Sequence, residues 1–385
     1  MNITQILDAC TGCGVCAAVC PSAAVEMQPD AHGFLRPVVD DAACTDCGLC
    51  TGKCPVSVLP QTSAHTEVLT GYAKDGTLLP RSSSGAIFPV LAAEIIRRGG
   101  LVFGAAFDES FDVVHTVAES MVEISALCSS KYVQGRVPSD CYAQVKAALA
   151  AGRWVYFSGL PCQVAALKSY LGRDYETLIT QDTACHSVPS PLVWEGYKAE
   201  LEKQHGGKLA AFSFRNKANG WEAYHIRAAF DNGREFAQPA AESPYQRGFI
   251  KGLYSRSSCF VCKFKGIERC SDITLADYWG VKKVFSRKLT TRRAHPSFCC
   301  TAKRDEAFWK AARISCNSSP QPKTRLPLTQ RCLHPFKSPP AMMNSGRATV
   351  KRPLPIWFPP AASRQRTNWR RNAEARAFWP ASYAA

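Results

Sequence analysis

Apolar residues recur at helical spacing from Ala86 to Ile96 and then run together from Leu101 to Phe107. This pattern predicts a helix followed by a buried strand. Ser84, in Arg81-Ser82-Ser83-Ser84-Gly85, is placed to cap that helix, and Gly99-Gly100 to end it. Further on, Trp154–Ser158 reads as a strand, Gln163–Leu171 as a helix and Thr177–Thr180 as a strand, a β-α-β unit. If those two strands are parallel neighbours, the residues just past them share the carboxyl edge of one sheet, where open α/β folds place their sites. Gln61–Thr70 is polar and reads as a linker. No stretch approaches the roughly 18 apolar residues of a membrane helix. From about Ser286 onward neither period is sustained. The pattern is that of a small N-terminal module, an α/β core and an irregular tail, two or three units in a chain of 385 residues.

Charge changes the picture of the tail. The chain has 47 Lys+Arg and 31 Asp+Glu, a net charge of +16. Such a surplus usually points to a nucleic-acid or anionic-membrane partner. Residues 1–285, however, carry 27 basic and 28 acidic residues, and residues 286–385 carry 20 and 3. The same last hundred residues hold 12 of the 25 Pro and 1 of the 25 Gly. The basic character therefore belongs to the tail alone. The tail lacks Lys clusters and regular aromatic interleaving, so nucleic acid is not the expected partner.

Nineteen Cys is far above ordinary usage. The odd count, the tight clustering and the absence of a basic and then apolar start in Met1–Cys10 argue against a secreted disulfide scaffold. The expected compartment is a reducing cytoplasm, where Cys clusters serve as metal or redox centres. Cys10, Cys13, Cys16 and Cys20 precede Pro21, and Cys44, Cys47, Cys50 and Cys54 precede Pro55. This C-x2-C-x2-C-x3-C-P run, present twice, is the spacing of bacterial two-cluster ferredoxins, in which the fourth Cys ligates the other cluster. Cys10, Cys13, Cys16 and Cys54 are thus assigned to one 4Fe–4S cluster, and Cys44, Cys47, Cys50 and Cys20 to the second. Gly12, Gly14 and Gly48 allow the backbone to come close, with amides directed at sulfur. Structural zinc rarely repeats this spacing. Two such clusters pass single electrons and imply a redox partner at each end.

Four more thiols follow a different logic. Cys162 lies just past the first strand of the β-α-β unit, Cys185 just past the second, and Cys259-x2-Cys262 comes later, with Cys270 beyond it. Cys162 also opens a helix, a position that lowers a thiol pKa and favours ligation. Cys162, Cys185, Cys259 and Cys262 make a candidate third four-thiolate site, with Cys270 as the substitute ligand. Iron–sulfur and zinc both suit four thiolates, and the ferredoxin head favours iron–sulfur. Cys128 and Cys141 lack partners at ligand spacing and read as structural. The turn Ser82–Gly85, opening a helix, could receive an anion or simply cap the helix.

Several segments together resemble the coenzyme F420 hydrogenase/dehydrogenase beta-subunit family. They are Ser82-Ser83-Ser84-Gly85, Val102–Phe107, Ser130-Lys131-Tyr132-Val133-Gln134, Gly159-Leu160-Pro161-Cys162-Gln163, Cys185–Pro191, and Cys259 to Gly280 with Asp277-Tyr278-Trp279-Gly280 at its end. The resemblance runs to about residue 285. It implies an α+β protein: a ferredoxin module at 1–60, then an α/β flavin-binding core at 66–145 and 150–285. It further implies FAD near Ser82, Ser83, Ser84, Gly85, Ser130, Lys131, Tyr132 and Gln134, and a small organic donor or acceptor of hydride, such as a deazaflavin. A flavin converts two-electron hydride chemistry to the single electrons that clusters carry. The alternative is an electron-transfer subunit without flavin. Ala86 stands where many relatives carry a second Gly, and Ser187 and Ala276 where Gly is expected.

Residues 286–385 can also be read as out-of-frame translation. Starting one nucleotide earlier, Phe298-Cys299 (TTY-TGY) gives YTG, which encodes only Leu, and Cys299-Cys300 gives the same. The preceding codons permit Gly-Thr-Ser. With the Leu pair forced and the rest permitted, the hidden reading can be a buried-strand run, and a single-nucleotide shift near Phe285 is expected.

Overall fold

A computed structural model describes residues 2–62, 67–266, 268–277, 297–301 and 316–320. In the N-terminal module a 3-10 turn, Ile3–Ala9, leads to the first Cys loop. Helices α1 (Val15–Ala18) and α2 (Leu49–Gly52) each start after a glycine in the left-handed region, Gly14 at φ 79° and Gly48 at φ 73°. Between them β1 (Val25–Pro29) and β2 (Leu35–Val39) form an antiparallel hairpin. Ile3, Val25 and Val56 pack with Cys16, Cys50 and Cys54 in the module's own core.

The remaining described elements are β3 (Glu67–Ala73), α3 (Ile87–Arg97), β4 (Leu101–Phe107), β5 (Val113–Ala118), α4 (Met121–Leu127), α5 (Ser139–Ala150), β6 (Val155–Ser158), α6 (Pro161–Leu171), β7 (Leu178–Thr183), α7 (Pro191–His205), β8 (Leu209–Asn216), β9 (His225–Phe230), β10 (Glu235–Pro239), α8 (Pro244–Ile250), β11 (Ile273–Asp277), β12 (Ser297–Thr301) and β13 (Cys316–Pro320). The main sheet runs β13-β3-β12-β11-β7-β6-β4-β5, and β8–β10 form a separate antiparallel sheet. β4, β6, β7 and β11 are parallel in that order. Leu101, Phe103, Val155 and Phe157 pack against α5 and α6 through Val145, Leu149 and Leu167. The alternate residues Val102, Ala106, Tyr156 and Ile179 pack against α3 and α4 through Leu91, Ile95 and Leu127. Burial on both faces is why Leu101–Phe107 reads as a continuous apolar run rather than an alternating one.

The expected β-α-β unit is present, and its two strands are parallel neighbours. Three expectations change. The linker Gln61–Thr70 is too long at its C-terminal end, because β3 begins at Glu67. Ser84 does not cap α3: the N-cap is Ala86, at φ 60° and ψ 32°, with no side-chain cap bond. The tail is not wholly irregular. β12 pairs antiparallel with β11 and β3, and β13 pairs with β3 on its other side. These strands lie in residues 286–385; the rest of that segment, and the domain limits expected there, fall outside the described residues. No described helix is long and apolar enough to cross a membrane.

Candidate metal centre and adjoining cleft

In the ferredoxin module, the Gly12 backbone N–H points at Cys10 Sγ at 3.4 Å. A side chain at Gly12 would meet Gln134 Nε2 at 2.4 Å and Arg256 Nη1 at 2.9 Å, and φ there is +73°. Glycine is required on both counts. Burial pushes the Cys13 thiol up to about 12 and raises Cys16 and Cys54, with neighbouring cysteines adding to the effect. Thiols so disfavoured as bare thiolates suit a cationic iron centre, which restores the missing counter-charge. Cys44 is half-buried and Cys47 exposed, so the second Cys loop is the outer one.

The four scattered thiols converge. β6 and β7 end side by side, which puts Cys162, in the first turn of α6, next to Cys185. The loop after α8 brings in Cys259 and Cys262, and all four line one pocket. Cys270 does not line it; it packs partly buried against the α5–α6 core. Burial first, then the neighbouring Cys262, Cys185 and Cys259, raise the Cys162 thiol well above its ordinary value. The helix-start position was expected to lower it; desolvation and thiol crowding outweigh the helix end. Thr11 and Gly12 of the first ferredoxin loop form another wall of this pocket.

Arg256, fully buried, fastens the two loops together. Its Nε donates to Cys10 O at 2.8 Å, Nη1 to Gln134 Oε1 at 3.2 Å and Nη2 to Leu35 O at 3.0 Å. Ser258 Oγ donates to the same Cys10 carbonyl at 2.9 Å. Tyr142, buried in the core, donates to Cys13 O at 2.7 Å. The ferredoxin loop is thereby held against the four-thiol pocket by bonds to its carbonyls. An Arg directly upstream of a C-x-x-C pair was the only sequence signal for this role.

Beyond the thiol pocket lies a cleft of about 430 Å³. The two share Leu160, Gln163, Cys185 and Val188 as lining residues. Ser82, Ser83, Ser84, Ser130, Lys131 and Tyr132 line this cleft, as do Ala86, Ser187 and Ala276. Ser83 Oγ and Ser130 Oγ are 2.7 Å apart, joining the two serine loops. Gly85 does not line it; its carbonyl accepts from Ala73 N. Gln134 lies in the thiol pocket instead, donating to Thr11 O and accepting from Leu35 N. Cys128 is buried as expected, yet it also lines the cleft beside Lys131, whereas Cys141 is in the core. Burial pulls Lys131 down to about 8 and pushes Cys128 up to about 11. His115, stacked on Phe157, is pulled down to about 4 by burial, so it is neutral at pH 7. Its Nε2 faces Ser158 O at 3.1 Å.

Among the described residues, Ser82 Oγ, Ser84 Oγ, His115 Nδ1, and Nε and Nη2 of Arg215 are buried without a hydrogen-bond partner. All four residues line the cleft. Orphaned buried polar atoms are costly and rare unless a ligand or water completes them. Sequence reasoning missed His115 and Arg215, single polar residues within strands, and Lys217 just past β8; none has a spacing to recognise.

These features define an iron–sulfur electron carrier: a two-cluster head locked onto an α/β core that gathers four further thiols beside a polar-edged cleft. Residues 9–58 match the 4Fe-4S dicluster domain. Residues 152–314 match the C-terminal part of the coenzyme F420 hydrogenase/dehydrogenase beta subunit. The chain thus joins a dicluster iron–sulfur module to a region similar to the C-terminal part of that beta subunit, which supports an iron–sulfur oxidoreductase component. The match extends past residue 285, where the sequence resemblance was expected to end, to residue 314. No curated protein matches the chain. A chain of the xenon-derivatised F420-reducing NiFe hydrogenase complex from Methanosarcina barkeri is similar at 14% identity and TM-score 0.45, covering 69% of this chain and 87% of that one.

Proposed function

We propose that the chain carries electrons between the ferredoxin head and a flavin in the cleft, by way of a third 4Fe–4S cluster on Cys162, Cys185, Cys259 and Cys262. The observation that carries this reading is the sharing of walls. The thiol pocket is bounded by the Cys10 loop on one side and by the cleft on the other. Three redox sites then stand in line without an intervening domain. Bound in the cleft, a flavin dinucleotide would supply the conversion between one-electron and hydride chemistry. The residues fit such a group: Ser82, Ser84, His115 and Arg215 offer buried polar atoms in need of partners. The neutral His115 can hold a proton at one ring nitrogen without adding charge. The hydride donor or acceptor is a small organic molecule, a deazaflavin or another, and a redox partner protein serves the exposed end near Cys47.

Anaerobic purification tests this. About twelve irons and one FAD per chain are expected, from three cubanes and the cleft. About eight irons with no flavin would sink the reading and leave an electron-transfer subunit of a larger complex. Substituting Cys162→Ala or Cys259→Ala should remove about four irons, whereas Cys270→Ala should remove none.

A further inference from the structure

The cleft has one feature that its serine loops do not explain: a buried guanidinium with donors to spare. Arg215, at the end of β8, is 5% exposed and lines the cleft. Its Nη1 donates to Asp277 Oδ2 at 2.6 Å. Its Nε and Nη2 have no partner among the described residues. The guanidinium carbon lies 4.8 Å from the Tyr224 ring centre and 5.8 Å from that of Trp221. Those rings hold the guanidinium in place while it keeps donors to spare. Lys217, 6% exposed, has its Nζ bonded to Ser84 O at 2.8 Å, which ties the end of β8 to the serine loop. Lys131 lines the cleft as well, and Asp277, the partner of Arg215 Nη1, is the single carboxylate among the described cleft-lining residues. Buried donors left without acceptors are costly unless a ligand completes them. A guanidinium with two neighbouring donors matches the two oxygens of a phosphate or carboxylate.

We propose that Arg215, backed by Lys217, is an oxyanion site that receives a phosphate or carboxylate of the molecule held in the cleft. The inference rests on the reading of the cleft as a ligand site; it does not require that the ligand be a flavin. The group could belong to the diphosphate of a dinucleotide cofactor or to the organic substrate, and one set of measurements separates these sources.

The full chain, purified anaerobically with its clusters, is titrated with riboflavin, FAD and inorganic pyrophosphate, following flavin fluorescence and the heat of binding. With a cofactor diphosphate at Arg215, Arg215→Gln weakens FAD binding about 10- to 100-fold, as for loss of charge-assisted hydrogen bonds, and leaves riboflavin unchanged. With a substrate oxyanion there, the FAD-to-riboflavin ratio is unchanged, yet pyrophosphate binds the flavin-loaded wild type and not the variant. If no flavin binds but pyrophosphate still distinguishes wild type from variant, the flavin reading fails and the oxyanion site stands. Because Arg215→Gln could impair folding, Asp277→Asn is the second variant. Removing the competing carboxylate should tighten pyrophosphate binding several-fold. An Arg215–Asp277 pair that is only structural predicts a lowered denaturation midpoint in both variants, with unchanged affinity for pyrophosphate and FAD. That result would overturn the proposal.

Discussion

Ala86 shows what a single residue can cost at the edge of a site. Its left-handed backbone, φ 60°, is one that a Cβ disfavours by about 1 kcal/mol. It sits at the cleft wall where the family pattern suggests glycine. Ala86→Gly relieves that strain but adds freedom to the unfolded chain, which offsets about 0.4–1 kcal/mol. Urea denaturation should therefore show unchanged or slightly increased stability, against the loss of about 1 kcal/mol usual for glycine inside a helix. A loss of that size would mean the conformation carries no strain. Lys217 makes a second case, through pH. Burial, with Arg215 nearby, lowers it from 10.5 to about 7. Between those values the unfolded chain binds the proton and the folded chain does not, so stability rises with pH from about 7 toward 10.5. In anion-free buffer, Lys217→Met should flatten that slope; a profile identical to wild type would contradict the assignment. Of the two, only Ala86 is marked in sequence, by standing where glycine is expected; Lys217 owes its shift to tertiary burial.

At the scale of elements, the distinction is between local spacing and assembly. The ferredoxin loops were legible because all eight Cys lie within 45 consecutive residues, at fixed intervals around glycine turns. The β6-α6-β7 unit was legible from its period, and parallel pairing made Cys162 and Cys185 neighbours. Nothing in the period placed Cys262 rather than Cys270 at the thiol pocket; that follows from how the loop after α8 lies against Val188 and the Cys10 loop. Arg256 is the joint between these elements, and its three bonds end on carbonyls and an amide rather than a carboxylate. Replacing it with Gln deprives Leu35 O of its guanidinium donor and leaves Cys10 O with Ser258 Oγ alone, at about 1–3 kcal/mol for each lost bond to a charged donor. Arg256→Gln should lower the denaturation midpoint. It should also weaken the magnetic interaction between reduced clusters in electron paramagnetic resonance, while the head retains its iron. An unaltered spectrum would mean the head is aligned by other contacts.

On the scale of the whole molecule, the net charge of +16 resolves into a near-neutral redox protein and a basic segment. The sheet gives that segment an unexpected position. β12 is not an edge strand: β11 lies on one side and β3 on the other. Strands inside a sheet covered on both faces call for an unbroken apolar run. The chain supplies Ser-Phe-Cys-Cys-Thr, with Cys299 opposite Leu275 and Cys300 opposite Thr274. Read one nucleotide earlier, the codons completed at Cys299 and Cys300 can encode only Leu, two apolar residues at consecutive positions of the strand. We therefore propose that the gene is read out of frame from near codon 285, although the family match continues to residue 314 in the frame given. The nucleotide sequence decides it. An alternative frame that stays open past codon 314 and encodes Leu at both positions is expected, and expression of that frame should raise the yield of folded, iron-loaded protein. An alternative frame closed by a stop before codon 314 would refute the shift and make Ser297–Thr301 the native strand.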